Sequence, residues 1–155
     1  MSTLLLHRLS PKNQVTLPRD ARSLADLREG DVVCAMPRKA LHEDPARRFP
    51  VVTLVTLPEL RAREEKLRAR YADDEIKRFR KLQVFNEGIR QLAVDAQRRI
   101  VLPAHFVAHV GIADDRDLYF SCSNDTIQLW NPAHYLAWKG EVVDGADSDL
   151  DALMF

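Results

Sequence analysis

The stretch Leu9-Ser10-Pro11-Lys12-Asn13-Gln14-Val15-Thr16-Leu17-Pro18 returns 85 residues later as Val94-Asp95-Ala96-Gln97-Arg98-Arg99-Ile100-Val101-Leu102-Pro103. Each copy is a polar turn, a short alternating run with β-branched residues, and a proline. Such alternation is a strand signal, while Pro18 and Pro103 end the strand and suit the first turn of a helix. A short helix is therefore expected over Arg19-Asp20-Ala21-Arg22-Ser23-Leu24 and over Ala104-His105-Phe106-Val107-Ala108-His109-Val110, closing near Gly30 and Gly111. A further apolar strand follows in each copy, Val32 to Met36 and Leu118 to Phe120. Self-similarity at a fixed offset marks two units of one kind.

Working outward, the second unit continues as a hairpin. Tyr119-Phe120-Ser121-Cys122 and Thr126-Ile127-Gln128-Leu129-Trp130 flank a polar turn at Ser123-Asn124-Asp125, and Asn131-Pro132 then starts a helix. In the first unit the returning strand is Val51-Val52-Thr53-Leu54-Val55-Thr56, and Pro58 takes the part of Pro132. Those prolines lie 74 residues apart, so the first unit carries an 11-residue insertion, placed in the hairpin tip Pro37 to Phe49 and made basic by Arg38, Lys39, Arg47 and Arg48. Between the units, Glu59 to about Gly88 reads as two helices broken at Asp73-Asp74. Their apolar stripes, Leu60, Leu67 and Tyr71, then Ile76, Phe79, Leu82, Phe85 and Ile89, read as core or helix-pairing surface. A unit of about 50 residues buries too little surface to stand alone, so the two should pack on each other, and open hairpin edges favour oligomers.

With 155 residues, 46% hydrophobic and 30% charged, the chain fits one ordinary soluble globular unit or two very small ones. No apolar run approaches the roughly 18 residues of a membrane span, and Leu4-Leu5-Leu6 before His7-Arg8 is too short for a signal-peptide core. A cytosolic protein is expected. Cys34 and Cys122 make no metal or disulfide spacing and read as small buried hydrophobes. The balance of 23 basic and 23 acidic residues hides an acidic end, because residues 139–155 hold Lys139 against five acids. Residues 1–138 are left with 22 bases and 18 acids, a net +4 compatible with a polyanion partner.

The run Val15-Thr16-Leu17-Pro18-Arg19-Asp20-Ala21-Arg22, followed by Leu27-x-x-Gly30-Asp31-x-Val33, resembles the SpoVT/AbrB domain of bacterial transition-state regulators and antitoxins. Two such units separated by helices, with Leu-Pro-Glu-Leu at 57–60 and Ile127-Gln128-Leu129-Trp130, resemble the MraZ family of regulators associated with the division and cell-wall gene cluster. The resemblance implies an α+β fold: two swapped-hairpin β-rich repeats, 4–57 and 89–138 with a final helix, joined by a helical segment 58–88. Together they are expected to pack as a pseudo-symmetric β-barrel-like unit, followed by an acidic disordered tail, 139–155. It also implies a cytoplasmic, nucleoid-associated regulator that binds double-stranded promoter DNA as a ring-like homo-oligomer. In that family each copy ideally reads Asp-x-Lys-Gly-Arg before its strand. Here the first copy keeps Lys12, with Ser10, Asn13 and Gln14 at the other places, and resembles the antitoxin-type variant. The second keeps Asp95 and Arg99, with Gln97 for Lys and Arg98 for Gly.

The chemistry of these side chains agrees with that role. Arg99, a rigid fork, is the first candidate for a bidentate contact to guanine or to phosphate. Lys12, Arg98, Arg8, Arg19 and Arg22 are candidates for gripping phosphate, and Gln14 suits an adenine edge. Asp95 is expected to order its own turn. An enzyme is disfavoured: no GxSxG, Walker loop or GxGxxG occurs, no glycine precedes serine, and His105 and His109 lack a third metal ligand at motif spacing. No cofactor, metal, membrane or small-molecule substrate is expected. The alternative is an antitoxin-like repressor whose tail, Asp144 to Phe155, engages a protein.

Overall fold

Apolar residues alternating along short strands dictate a layered molecule, with helices placed by their capping residues. A computed structural model of the chain describes residues 6–19, 26–122 and 126–140. The strands are β1 (Leu6–Arg8), β2 (Gln14–Thr16), β3 (Val32–Lys39), β4 (Pro50–Thr56), β5 (Arg90–Ala93), β6 (Arg99–Val101), β7 (Asp117–Cys122) and β8 (Ile127–Trp130). The helices are α1 (Leu57–Arg70), α2 (Glu75–Asn86), α3 (Ala104–Val110) and α4 over 132–140. The fold is α+β with antiparallel strands, as expected. Arg22 and the short helix expected there, the turn at 123–125 and the acidic segment beyond 140 lie outside the described residues.

Six strands form one sheet in the order β1-β7-β8-β4-β3-β5, while β2 and β6 pair with each other as a separate ribbon. The barrel-like closure expected from the resemblance is not seen as a continuous ladder: among the described residues the sheet runs from β1 to β5 without joining its ends. Two tight turns are the cause. They leave β1 and β5 at residues with positive φ, Asn13 (62°) and Arg98 (60°), and carry the chain out of the sheet into the ribbon.

Alternation assigns the layers. On β3 and β4, Val33, Ala35, Val52 and Leu54 face the main core, where Val15 and Ile100 of the ribbon and Phe106 and Val110 of α3 close over the sheet. Their neighbours Cys34, Met36 and Val55 face the other way, against Leu60 of α1 and Phe85 of α2. A third cluster joins Ala40, Val51 and the fully buried Trp130 to Tyr135 and Trp138 of α4. The Trp138 indole N–H donates to the Leu41 carbonyl at 2.9 Å.

Helix boundaries follow ordinary capping chemistry. Thr56 accepts the Glu59 N–H at 3.4 Å with Pro58 in the first turn of α1, and Asp74 accepts the Lys77 N–H at 2.9 Å at the start of α2. Asn131 accepts from Ala133 at 2.9 Å and from His134 at 3.3 Å. Gly111, at φ 72°, ends α3 in the left-handed conformation that glycine adopts freely.

Several expectations are corrected. β3 runs through Pro37 to Lys39, so the insertion is partly strand. β5 pairs with β3 only as far as Ala35, and a proline beyond that point costs no ladder bond on the open side. Cys34 is buried, but Cys122 is exposed, because it is the last residue of β7, where the core face runs out. Ile76 and Phe79, expected in a core or helix pair, are 68% and 67% exposed, since only the Phe85 end of α2 is held against the body. Strands β1 and β5 were not expected.

The ribbon's orientation is directly testable by denaturant unfolding. Ile100, 1% exposed, should cost about 2–5 kcal/mol when changed to Ala. Its neighbour Val101, 52% exposed, should cost no more than about 0.5 kcal/mol. Equal losses would place the wrong face inward.

Candidate nucleic-acid interface

The two polar turns are built alike. In the first, Ser10 N–H donates to the Gln14 carbonyl and Asn13 N–H to the Ser10 carbonyl, both at 2.9 Å. In the second, Asp95 N–H donates to Arg99 O and Arg98 N–H to Asp95 O, both at 3.0 Å. The first side chain of each turn gathers two further N–H groups. Ser10 Oγ accepts from Lys12 at 3.2 Å and from Gln14 at 3.0 Å, while Asp95 Oδ1 accepts from Gln97 at 2.9 Å and from Arg99 at 2.8 Å. Asp95 thus orders its own turn.

The turns launch β2 and β6 antiparallel, with Gln14 opposite Val101, Val15 opposite Ile100, and Thr16 opposite Arg99. Because successive side chains alternate, burying Val15 and Ile100 turns Gln14, Thr16, Arg99 and Val101 outward together. Lys12 is exposed in the first turn and Gln97 in the second. Thr16, Val101 and Gln97 are exposed beside these side chains, and the motif reading passed over all three. The alternation that identified the strand contained the signal for the first two.

The candidate cations do not all sit alike. Arg99 donates from Nε to Asp95 Oδ2 at 2.8 Å and from Nη2 to Gln97 Oε1 at 2.7 Å. The Asp95 carboxyl is held below the usual carboxylate range, first by the Arg99 backbone N–H; desolvation opposes this, and the Arg99 side chain and the Gln97 N–H add to the lowering. Arg98 points elsewhere, with Nη1 donating to the Leu27 carbonyl at 3.2 Å. Arg8 is exposed on β1 with Nε 3.7 Å from Asp117, a weak surface pair. Arg19 is exposed just beyond Pro18, and Arg22 lies outside the described residues. Arg116, not anticipated from the sequence, braces the first turn by donating to Ser10 O at 2.8 Å and to the Asn13 amide oxygen.

The histidines of α3 are likewise separated in role. His109 Nε2 lies 3.0 Å from Arg38 O and 3.1 Å from Val51 O, so it carries its proton and bridges β3 and β4. His105 leans on Phe106, ring centres 4.5 Å apart. Among the described residues no group of three or more His, Cys, Asp or Glu side chains is placed to hold a metal.

Two curated proteins are similar in sequence, both named Transcriptional regulator MraZ. The one from Ruegeria pomeroyi (strain ATCC 700808 / DSM 15171 / DSS-3) is 34% identical over 67 residues, 41% of this chain and 39% of the relative. The one from Ruegeria sp. (strain TM1040) is 32% identical over 76 residues, 46% of this chain and 44% of the relative. Each match covers less than half of this chain. The chain spans 39% and 44% of the length of these curated relatives. No protein-family model matches it. The turn geometry explains the glycine of the MraZ pattern, Asp-x-Lys-Gly-Arg, because that position takes positive φ here, at Asn13 and Arg98. Asn adopts this conformation readily; for Arg it costs roughly 1–2 kcal/mol.

Charge on Asp95 should be visible in stability against pH. Its pKa is lowered on folding, so its contribution is present above the ordinary carboxylate pKa and lost as pH falls through the depressed folded value. Asp95→Asn keeps an acceptor oxygen but not the charge. Urea titrations should show this variant less stable than the parent at neutral pH, with the gap closing toward acid. A constant gap would mean that the charge does not matter.

Proposed function

We propose that the chain is a MraZ-type transcriptional regulator that binds double-stranded DNA sequence-specifically as a homo-oligomer. Its target class is repeated promoter elements of the division and cell-wall gene cluster, which places it in the cytoplasm on the nucleoid. The observation that carries this reading is the outward face of the β2–β6 ribbon, where Gln14, Thr16, Arg99 and Val101 stand side by side. The major groove admits a two-stranded ribbon, and these side chains match its chemistry: Arg for guanine, Gln for adenine, and methyl-bearing Thr and Val for thymine. Lys12, Arg8 and Arg19 are exposed cations able to supply a phosphate grip. The names of the two relatives, which describe transcriptional regulators, agree with a regulatory and not a catalytic role.

The same reading takes residues 4–57 and 89–138 as two SpoVT/AbrB-like repeats with exchanged strands, joined by 58–88. Support comes from the pairing register. Leu6 lies opposite Tyr119 as Gln91 lies opposite Cys34, and His7 opposite Leu118 as Leu92 opposite Val33, each pair displaced by 85 residues in both partners. Val15 opposite Ile100 then sits on the pseudo-twofold axis. A homo-oligomer is favoured by the open outer edges of β1 and β5 and by exposed Ile76 and Phe79. In an oligomer, modest contacts per chain add through effective concentration.

Fluorescence anisotropy on DNA from upstream of the protein's own gene, against scrambled duplex over a salt series, tests the reading. Preferential binding that weakens steeply with salt is expected. Arg99→Ala should lower the preference for its own site by on the order of tenfold, while Lys12→Ala should weaken all duplexes alike and reduce the salt slope by about one. Indifference to both duplexes at low salt would overturn it.

A further inference from the structure

We propose that Gln97 and Asp95 are positioning residues that make the β2–β6 ribbon a one-ended reader, so that each chain specifies guanine at the Arg99 end of its element and not at the opposite end. This inference rests on the DNA-binding reading above and concerns how that same face discriminates sequence. Its ground is a difference between two turns of the same backbone form.

In a guanidinium, Nε and Nη2 make one edge and the two Nη groups make the terminal fork. Asp95 takes the Nε–H of Arg99 at 2.8 Å and Gln97 takes one Nη2–H at 2.7 Å, so both partners sit on the lateral edge. Nη1 and the second Nη2 hydrogen lie outside these bonds. They form the fork that suits the paired acceptors O6 and N7 of guanine. Held on its lateral edge, the fork is pre-aimed and loses little rotamer freedom on binding. Gln97 stands where the family pattern has Lys, so a neutral acceptor replaces a second cation at this place.

At the other turn the corresponding positions are Ser10, Lys12 and Gln14. Ser10 spends its hydroxyl on backbone N–H groups, and Lys12 is an exposed point charge on a flexible stem. None of these three side chains is a planar cationic fork, and the Arg116 guanidinium beside them spends its Nη2 on the Ser10 carbonyl and the Asn13 amide oxygen. Gln14, with one donor and one acceptor group, fits adenine instead. Strands of three residues span roughly 10 Å, about three base pairs, so the two unlike ends fall within one short element.

The test is selection of duplexes from a randomised pool by the full-length protein, followed by anisotropy competitions with each base pair of the recovered element exchanged. Guanine specified on one side only, within about three base pairs, is expected. Gln97→Ala should lower the guanine preference several-fold while binding of scrambled duplex and the salt slope stay unchanged, a split that a merely structural role does not produce. Gln97→Glu, which keeps the acceptor, should retain the preference and weaken binding to every duplex. Guanines specified at both ends of the element, or full discrimination in Gln97→Ala at parental melting temperature, would overturn the proposal and leave DNA binding standing. Failure to bind any duplex at low salt would instead overturn the underlying reading, and this proposal with it.

Discussion

The burial of Val15 against Ile100, 2% and 1% exposed, is the constraint on which the exposed face depends. Burying a valine and an isoleucine is worth about 1.5–3 kcal/mol each. A slip of one residue would bring Gln14 or Arg99 into the core and expose both aliphatics, so the register is strongly determined. The ribbon cannot hold itself, because an isolated two-stranded pair is marginal in water. It is kept by the core beneath it, where Leu17, Leu102 and Phe106 join the same cluster as the sheet residues Leu54 and Leu129. The outward residues therefore inherit their positions from hydrophobic burial that they do not share.

The turns supply what burial cannot, namely direction. Each closes through a main-chain hydrogen bond from the N–H of its first residue to the carbonyl of its last, and each needs one residue at positive φ. Bracing differs at the two sites. Arg116 reaches the Ser10 carbonyl and the Asn13 amide from the body, whereas Arg98 reaches outward from its own turn to the Leu27 carbonyl. A carboxylate would be a liability on a surface that binds a polyanion, as proposed for this ribbon. At Asp95 its charge is taken up locally by two backbone N–H groups and the Arg99 side chain, which is also why its pKa falls.

Much of this was legible in the sequence, and the failures have physical causes. Strands with several alternating β-branched residues, such as Val51-Val52-Thr53-Leu54-Val55, declare themselves, and so do helices announced by Thr56-x-Pro58, Asp74 and Asn131-Pro132. β1 and β5 do not. Leu6-His7-Arg8 and Arg90-Gln91-Leu92-Ala93 each turn about one residue inward, too little for a periodicity, and they become strands only because β7 and β3 offer partners distant in sequence. Arg99 was legible as a cation on a strand next to a turn. Its fixing by Gln97 depends on side-chain direction around a positive-φ residue, which no spacing rule encodes. Arg98 misleads for the same reason: at φ 60° its Cβ leaves the surface path, and the guanidinium finds a carbonyl.

The alternation along β3 and β4 also separates two surfaces. Val33, Ala35, Val52 and Leu54 belong to the core under the ribbon, while Cys34, Met36 and Val55 belong to the layer that carries α1 and α2. A sheet thus stands between the outward side chains of the ribbon and the exposed Ile76 and Phe79 of α2. Substitutions on the two sides share no packing partner, so their effects on the folding of one chain should be additive. Their effects on DNA affinity should not be. If chains assemble through α2, losing the assembly removes the multiplied contacts of every ribbon, and a second change at Arg99 then acts on a single weak contact. Additive stability with non-additive affinity is the signature that distinguishes a shared assembly from a shared site.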